Sequence, residues 1–220
     1  VSGNSINIVT GTLTNYTNKL QSATYIIKPT APAPGSCIGN TFTAIVYVNP
    51  QSAITEMSTT VCSGTQFNVS PVNETNGIVP FGTTYTWTLP KVGNASLTGG
   101  DSNSVAQQSI FGTLNNGTNS VQTAVYTVLP NTVNCSIGAT FTLTVYVNAT
   151  PKISEMSTVI CSGVTFVVSP VNQTNGIVPN NTVYSWEIPS VSTASLTGGV
   201  SGTGLFVTGK LLNNTSLPRT

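Results

Sequence analysis

This sequence predicts an all-β fold: tandem β-sandwich domains of about 99 residues, set end to end as a rod. Three observations carry that reading. Residues 51–100 recur at 150–199 with 31 of 50 positions identical, so ITEMSTTVCSG (54–64) returns as ISEMSTVICSG (153–163). Segments such as ATFTLTVYVN (139–148) alternate apolar and polar residues with the period of two that a half-buried strand requires. Clusters of Gly, Asn, Ser and Pro punctuate these segments, and no stretch of ten or more residues reads as helix.

The repeat sets the domain organisation. TFTAIVYVNP (41–50) matches TFTLTVYVNA (140–149), again 99 residues on. Residues 1–50 therefore read as the C-terminal part of one unit, 51–149 as a complete unit, and 150–220 as the N-terminal part of a third. A unit of this size buries its own core, unlike short solenoid repeats that must stack. Val1 is preceded by no initiator Met and opens no signal-peptide pattern, so a segment of a longer protein is expected.

Within the complete unit the strands are expected in the following order. ITEMS (54–58) and TQFNVSP (65–71) come first, separated by the turn CSG. TTYTWTLP (83–90) follows the turn NETNG, places Tyr85, Trp87 and Leu89 on one face, and stops at Pro90. VGNAS and TGGDSN read as turns, and SVAQQSIFGTL (104–114) as the next strand. VQTAVYTVLP (121–130) ends at Pro130. Residues 139–148 put Phe141, Leu143, Val145 and Val147 on one face, and Thr140, Thr142, Thr144 and Tyr146 on the other. About seven short strands with a Trp in the third point to an immunoglobulin-like two-sheet sandwich. Trp87 and its repeat Trp186 are accordingly expected in the core, with a sugar-stacking platform as the alternative role. The connections VNPQSAI (48–54) and VNATPKI (147–153) are short and contain Pro, which leaves little hinge freedom.

Composition narrows function. Charged residues are 5% of the chain, whereas Thr, Ser and Asn contribute 37, 24 and 23 of its 220 residues. A surface that is polar through hydroxyls and amides has almost no long-range field, so neither nucleic acid nor anionic lipid is an expected partner. The sequence has no His, which excludes Ser-His triads and histidine metal sites. Asp101 is the only Asp and its repeat counterpart is Val200, while Glu74 is replaced by Gln173. Neither a calcium loop nor an acid/base pair is expected, hence no catalytic, cofactor-binding or metal-binding residues and no enzyme activity. No run of eighteen apolar residues is present, so no membrane insertion is expected.

Four cysteines occupy two repeating positions. Cys62 and Cys161 stand in CSG, and Cys37 and Cys135 precede the last strand of their units. Two cysteines per unit without CxxC or His predict disulfides and an oxidising, extracellular setting rather than zinc. Cys62 with Cys135 would close one unit through a loop of about 73 residues, stabilising it by a few kcal/mol. The competing arrangement links the CSG cysteine of one unit to the late cysteine of the next, leaving all four without partners in this sequence.

Asn-x-Ser/Thr triplets occur at Asn15, Asn68, Asn73, Asn94, Asn116, Asn134, Asn148, Asn172, Asn180, Asn213 and Asn214, and an Asn- and Thr-rich chain produces them without any glycan. The row Thr140, Thr142, Thr144 could match a crystalline surface, but Thr is also the ordinary solvent-facing strand residue. Tyr47 and Tyr146 lie on the polar face of the last strand in both copies, as candidates for surface binding.

The block order VCSGTQFNVSPVN, TTYTWTLP, SLTGG, GTLNNGTNSVQTAVYTVLP and NCSIGATFTLTVYVNATPKI resembles the PKD-like, immunoglobulin-like tandem repeats of giant cell-surface adhesins of Bacteroidota. The resemblance spans the whole sequence. It implies a type IX-secreted stalk or filament protein, with gliding adhesins among the relatives, and brings no catalytic residues or cofactors. Expected partners are neighbouring repeats, copies of the chain in a fibre, and a polysaccharide or solid surface. A multivalent carbohydrate-binding array is the alternative.

Overall fold

The computed structural model describes residues 9–133, 135 and 138–219, and every described element is a β-strand, bridge, turn or bend. Asn134 and the Ser136–Ile137 part of the NCSIG motif lie outside the described residues. No helix among them is long and apolar enough to cross a membrane.

The chain begins with an antiparallel hairpin, β1 (Gln21–Ile27) and β2 (Phe42–Val48), with Gln21 opposite Val48 and Ile27 opposite Phe42. Exposed residues outnumber half-buried ones along both strands, and none is buried.

The middle of the chain forms two facing sheets. In chain order its strands are β3 (Ala53–Ile54), β4 (Met57–Cys62), β5 (Gln66–Val69), β6 (Gly77–Ile78), β7 (Thr84–Trp87) and β8 (Lys91–Val92). They continue with β9 (Leu97–Gly99), β10 (Asn103–Gln107), β11 (Ile110–Asn116), β12 (Gln122–Asn131) and β13 (Phe141–Asn148). One sheet runs β10-β7-β12-β13-β4 with β8 also on β12; the other runs β5-β11-β9; β3 pairs with β6. The pairings are antiparallel except one: β4 runs parallel to β13, from Leu143 opposite Met57 to Asn148 opposite Cys62.

The core lies between the sheets. Phe67, Ile110 and Leu114 of one sheet meet Tyr126, Val128, Leu143, Val145 and Val147 of the other, all at 2% exposure or less. Each such side chain contributes about 1.5–3 kcal/mol by leaving water. Aromatic rings pack at an angle: Phe67 against Tyr126 at 5.4 Å, Tyr85 against Phe141 at 6.3 Å, Trp87 against Phe111 at 5.5 Å. The burial of alternate residues along β13 follows directly from the side-chain alternation of a pleated strand.

Several local expectations need correction. SVAQQSIFGTL is not one strand: β10 and β11 belong to different sheets, and the chain crosses between them at Gln108–Ser109. TGGDSN is not only a turn, because its Thr98 and Gly99 belong to Leu97–Gly99, which pairs with Leu114–Asn116 and buries Leu97. Pro130 does not end its strand. Its carbonyl accepts from Gly138 N at 3.2 Å, so its nitrogen faces the hairpin loop and removes no ladder bond to β7. Leu89 is 65% exposed because β7 stops at Trp87, short of the position that would have faced inward.

The last part of the chain repeats the early strands of the middle unit. β14 (Lys152–Ile153) pairs with β16 (Gly176–Ile177), and β17 (Tyr184–Trp186) with β19 (Gly202–Gly204). β15 (Thr165–Val168) and β18 (Leu196–Gly198) flank β20 (Val207–Asn213). Residues 156–161 form no strand, although MSTVIC differs from the β4 sequence MSTTVC at only two positions. The difference is a partner: β4 lies along β13, and among the described residues no strand pairs with 156–161.

Candidate functional site

Three places gather the repeated motifs: the junction after the last strand, the outer face of the β12-β13-β4 sheet, and the tryptophan positions.

The junction is built from a self-bonded loop and a short linker. In SPVNETNGIVP, Asn76 Oδ1 accepts from Val72 N at 2.9 Å and Asn73 Oδ1 accepts from Val79 N at 3.0 Å. SPVNQTNGIVP repeats both bonds, Asn175 with Val171 N and Asn172 with Val178 N, at 2.9 and 3.0 Å. The loop thereby presents β6 or β16 to the incoming strand β3 or β14. Gly77 and Gly176 stand at φ of 97° and 108°, and a Cβ there would run into the carbonyl of Ala53 or Lys152, so only glycine fits. On the other side, Ser63 N donates to Asn148 O at 2.9 Å and Thr150 Oγ1 donates to Ser63 O at 3.3 Å. An open groove of about 400 Å³ remains between Ser63, Thr98, Asn115, Thr150, Pro151 and Lys152.

A second anchor had no reading of its own in the sequence. Asn116 is 3% exposed and makes four side-chain bonds. Its Nδ2 donates to Ser120 O at 2.7 Å and Val147 O at 2.8 Å, and its Oδ1 accepts from Thr118 N and Oγ1 at 2.9 and 2.7 Å. Asn15 makes the equivalent bonds to Lys19 O, Val48 O and Thr17. Asn213 bonds Leu217 O and Thr215 in the same way. The Asn-x-Thr triplets at these positions are turn clamps: in each the Asn amide donates to the carbonyl four residues on and its Oδ1 accepts from the N–H and hydroxyl of the Thr two residues on, and that is a signal sequence reasoning could have used.

On the outer face, Tyr146 stands between Thr123 of β12 and Thr60 of β4, and is 41% exposed. Thr144 is flanked in the same way by Val125 and Ser58. The strip holds the hydroxyls of Thr123, Thr60, Thr144 and Ser58, the Tyr146 phenol and the apolar Val125, with Lys91 of β8 beside Val125, an arrangement able to stack a sugar ring and hydrogen-bond beside it. Tyr47 takes the same place on β2, opposite Ser22, at 65% exposure.

Trp87 is 5% exposed and its Nε1 donates to Asp101 O at 3.0 Å. Trp186 repeats the bond to Val200 O at 3.0 Å but is only half-buried. A backbone carbonyl accepts in both, which is why Asp101 and Val200 interchange.

All four cysteines are free; Cys37, Cys62 and Cys161 are exposed and Cys135 is partly buried. The Cys62–Cys135 bridge expected within the unit does not form. Cys62 is level with Asn148 at the end of β13, whereas Cys135 sits in the turn before β13 begins. Seven residues of strand separate these levels, about 23 Å at ~3.3 Å per residue, where a disulfide needs Cα atoms within about 7 Å.

Burial raises the Tyr85 phenol to about 12. Burial, and secondarily Asp101, raises that of Tyr126 to about 12. The Tyr126 hydroxyl is buried without a hydrogen-bond partner, beside Gly100 and Gly112. Among the described residues no group of three His, Cys, Asp or Glu side chains converges.

A family model described as PKD-like domain matches residues 1–52 and 59–151. No curated protein matches the chain.

Proposed function

This chain belongs to the PKD-like domain family, and on that premise we propose that it is a structural repeat segment of a long secreted cell-surface adhesin or filament. It gives reach and surface attachment, in the manner of the adhesins of gliding cells. PKD-like domains are extracellular structural or adhesion-type modules and are typically non-catalytic. The observation that carries the reading is the parallel pairing of β4 with β13. Tension enters near the start of β4 and leaves at the end of β13. Parallel strands pulled from opposite ends slide past each other, so six register positions resist together rather than unzipping one at a time. The junction adds to this, because β14 is paired to β16 within a few residues of Asn148 and the linker has little freedom to bend.

Electron microscopy of the native cell surface and of the purified protein tests the reading. Thin fibres with a regular bead spacing of one unit support it. Isolated globular particles that stay off the cell surface contradict it.

The exposure of Tyr146 on the outer face of the β12-β13-β4 sheet favours a second reading, an array of weak glycan-binding units acting by avidity. In that case Tyr146→Ala lowers retention on an insoluble polysaccharide column. Unchanged retention removes this reading and leaves the first intact.

A further inference from the structure

The edge strands of the middle unit are not alike. β5, β8 and β9 have 4, 2 and 3 residues, and β10 shifts register against β7 between Asn103 and Gln107. Shortness and irregularity keep an edge from pairing with another chain. β4 has neither. Its six residues, MSTTVC, hold one unbroken register along β13 and include no charged residue and no Pro.

The open side of β4 follows from one bond. Ser63 N donates to Asn148 O, so Met57, Thr59 and Val61, on the same side of the strand, turn their backbone groups to β13. The N–H and C=O groups of Ser58 and Thr60 point the other way, where β4 ends the sheet, and both residues are exposed.

We propose that β4 pairs antiparallel with β4 of a second copy, a contact between arrays that run in opposite directions. Thr59 lies on the two-fold axis, which sets Ser58 of each copy opposite Thr60 of the other. The outward groups then satisfy one another, because such a residue pair exchanges both N–H···O bonds. Copies running the same way do not fit. In the parallel pair of β13 and β4, level residues turn opposite ways: Asn148 faces β4, and Cys62 faces away and accepts from Thr65 N. A second β4 running the same way under two-fold symmetry sets Ser58 level with Ser58, both turned inward, and no bond forms.

Charge selects the same occupant. Glu56 is the charged residue next to the strand. Antiparallel pairing brings it level with Cys62 of the other copy. The two Glu56 carboxylates then stand about 20 Å apart at ~3.3 Å per residue, beyond the ~8 Å over which exposed charges act in physiological salt. Running the same way, the copies would set them side by side. β13 leads out of the unit into the linker and β4 runs with it, so opposed β4 strands mean opposed arrays, as those reaching from facing surfaces are. One such contact is small; MSTVIC at 156–161 repeats the motif, and repetition along an array supplies avidity.

The inference rests on the reading of the chain as part of a surface adhesin and names the partner, yet the two fail separately: a chain that stays monomeric can still be a stalk. The test is sedimentation velocity of the 220-residue chain under reducing conditions across a concentration series. The expected result is a shift from 22.7 kDa to twice that mass, with amide protection of Ser58 and Thr60 rising alongside. Thr60→Pro removes an N–H that faces solvent, which an edge strand tolerates. It lowers association about thirtyfold, for two hydrogen bonds lost per pair, and leaves the circular dichroism unchanged. A charge pair gives an independent readout. Thr60→Lys and Ser58→Glu each weaken association alone, through like charges diagonal across the pair, and a mixture of the two restores it. Monomers at every concentration overturn the proposal. So does association untouched by Thr60→Pro, or a mixture of the charged variants that associates no better than either alone.

Discussion

Asn116 Nδ2 lies 2.8 Å from Val147 O, tying the turn after β11 to the last residue but one of β13. The turn itself is closed by the same side chain through Ser120 O and Thr118. The bond therefore holds the end of the strand through which the chain leaves the unit.

Asn116→Ala is expected to destabilise the middle unit by about 2–4 kcal/mol, since it strands a buried carbonyl and a turn N–H without partners. Urea unfolding followed by Trp87 fluorescence measures this. The same residue lies in an Asn-Gly-Thr triplet, and at 3% exposure with all its polar atoms bonded it has no room for a glycan. Mass spectrometry of natively expressed protein is expected to find it unmodified.

Alkaline pH is expected to weaken the fold through Tyr85 and Tyr126. Both phenols are held up to about 12 against an ordinary value of 10.0, so the fold prefers the protonated form. Their contribution is complete below about pH 10 and is lost as pH rises toward about 12. Because the Tyr126 hydroxyl has no partner, Tyr126→Phe is expected to leave stability at pH 7 unchanged or higher. The Tyr85→Phe, Tyr126→Phe double variant is expected to flatten the fall. Thermal melts at intervals from pH 8 to roughly pH 12 measure both effects.

The two tryptophans are expected to differ in cost although they hold the same place in the repeat. Trp87→Ala removes a buried ring packed on Phe111 and costs about 3–5 kcal/mol. Trp186→Ala removes a half-buried ring from this chain and costs about 1–2 kcal/mol or less. Hydrogen exchange of the β7 and β17 amides separates the two.

Much of the fold could be read in advance wherever a residue's neighbours in sequence decide its environment. The alternation of Phe141, Leu143, Val145 and Val147 is such a case, and so is the burial of Trp87. Residues 57–62 and 156–161 show the limit, because nearly the same six residues are a strand in one place and none in the other. Strand pairing is non-local, and alternation does not say whether a partner is present. The break between β10 and β11 was hidden because Gln107–Ser109 carries no Gly or Pro to mark a change of sheet. The cysteine pairing was readable in part. Spacing in sequence places Cys62 and Cys135 in one unit; immunoglobulin strand order puts their two turns at opposite ends, and the parallel β4–β13 register agrees with that order. Of the candidate surface, the outward position of Tyr146 was readable, while its flanking by Thr123 and Thr60 required the register.

Pulling the chain by its ends in an optical trap tests most directly whether the middle unit is built to carry tension. The expected trace shows one cooperative rupture of the middle unit, releasing about 30 nm at roughly 0.33–0.36 nm per residue. Asn116→Ala and a proline placed at Thr59 of β4 are expected to lower the rupture force. A middle unit that lengthens gradually at low force, with no cooperative step, would contradict the account.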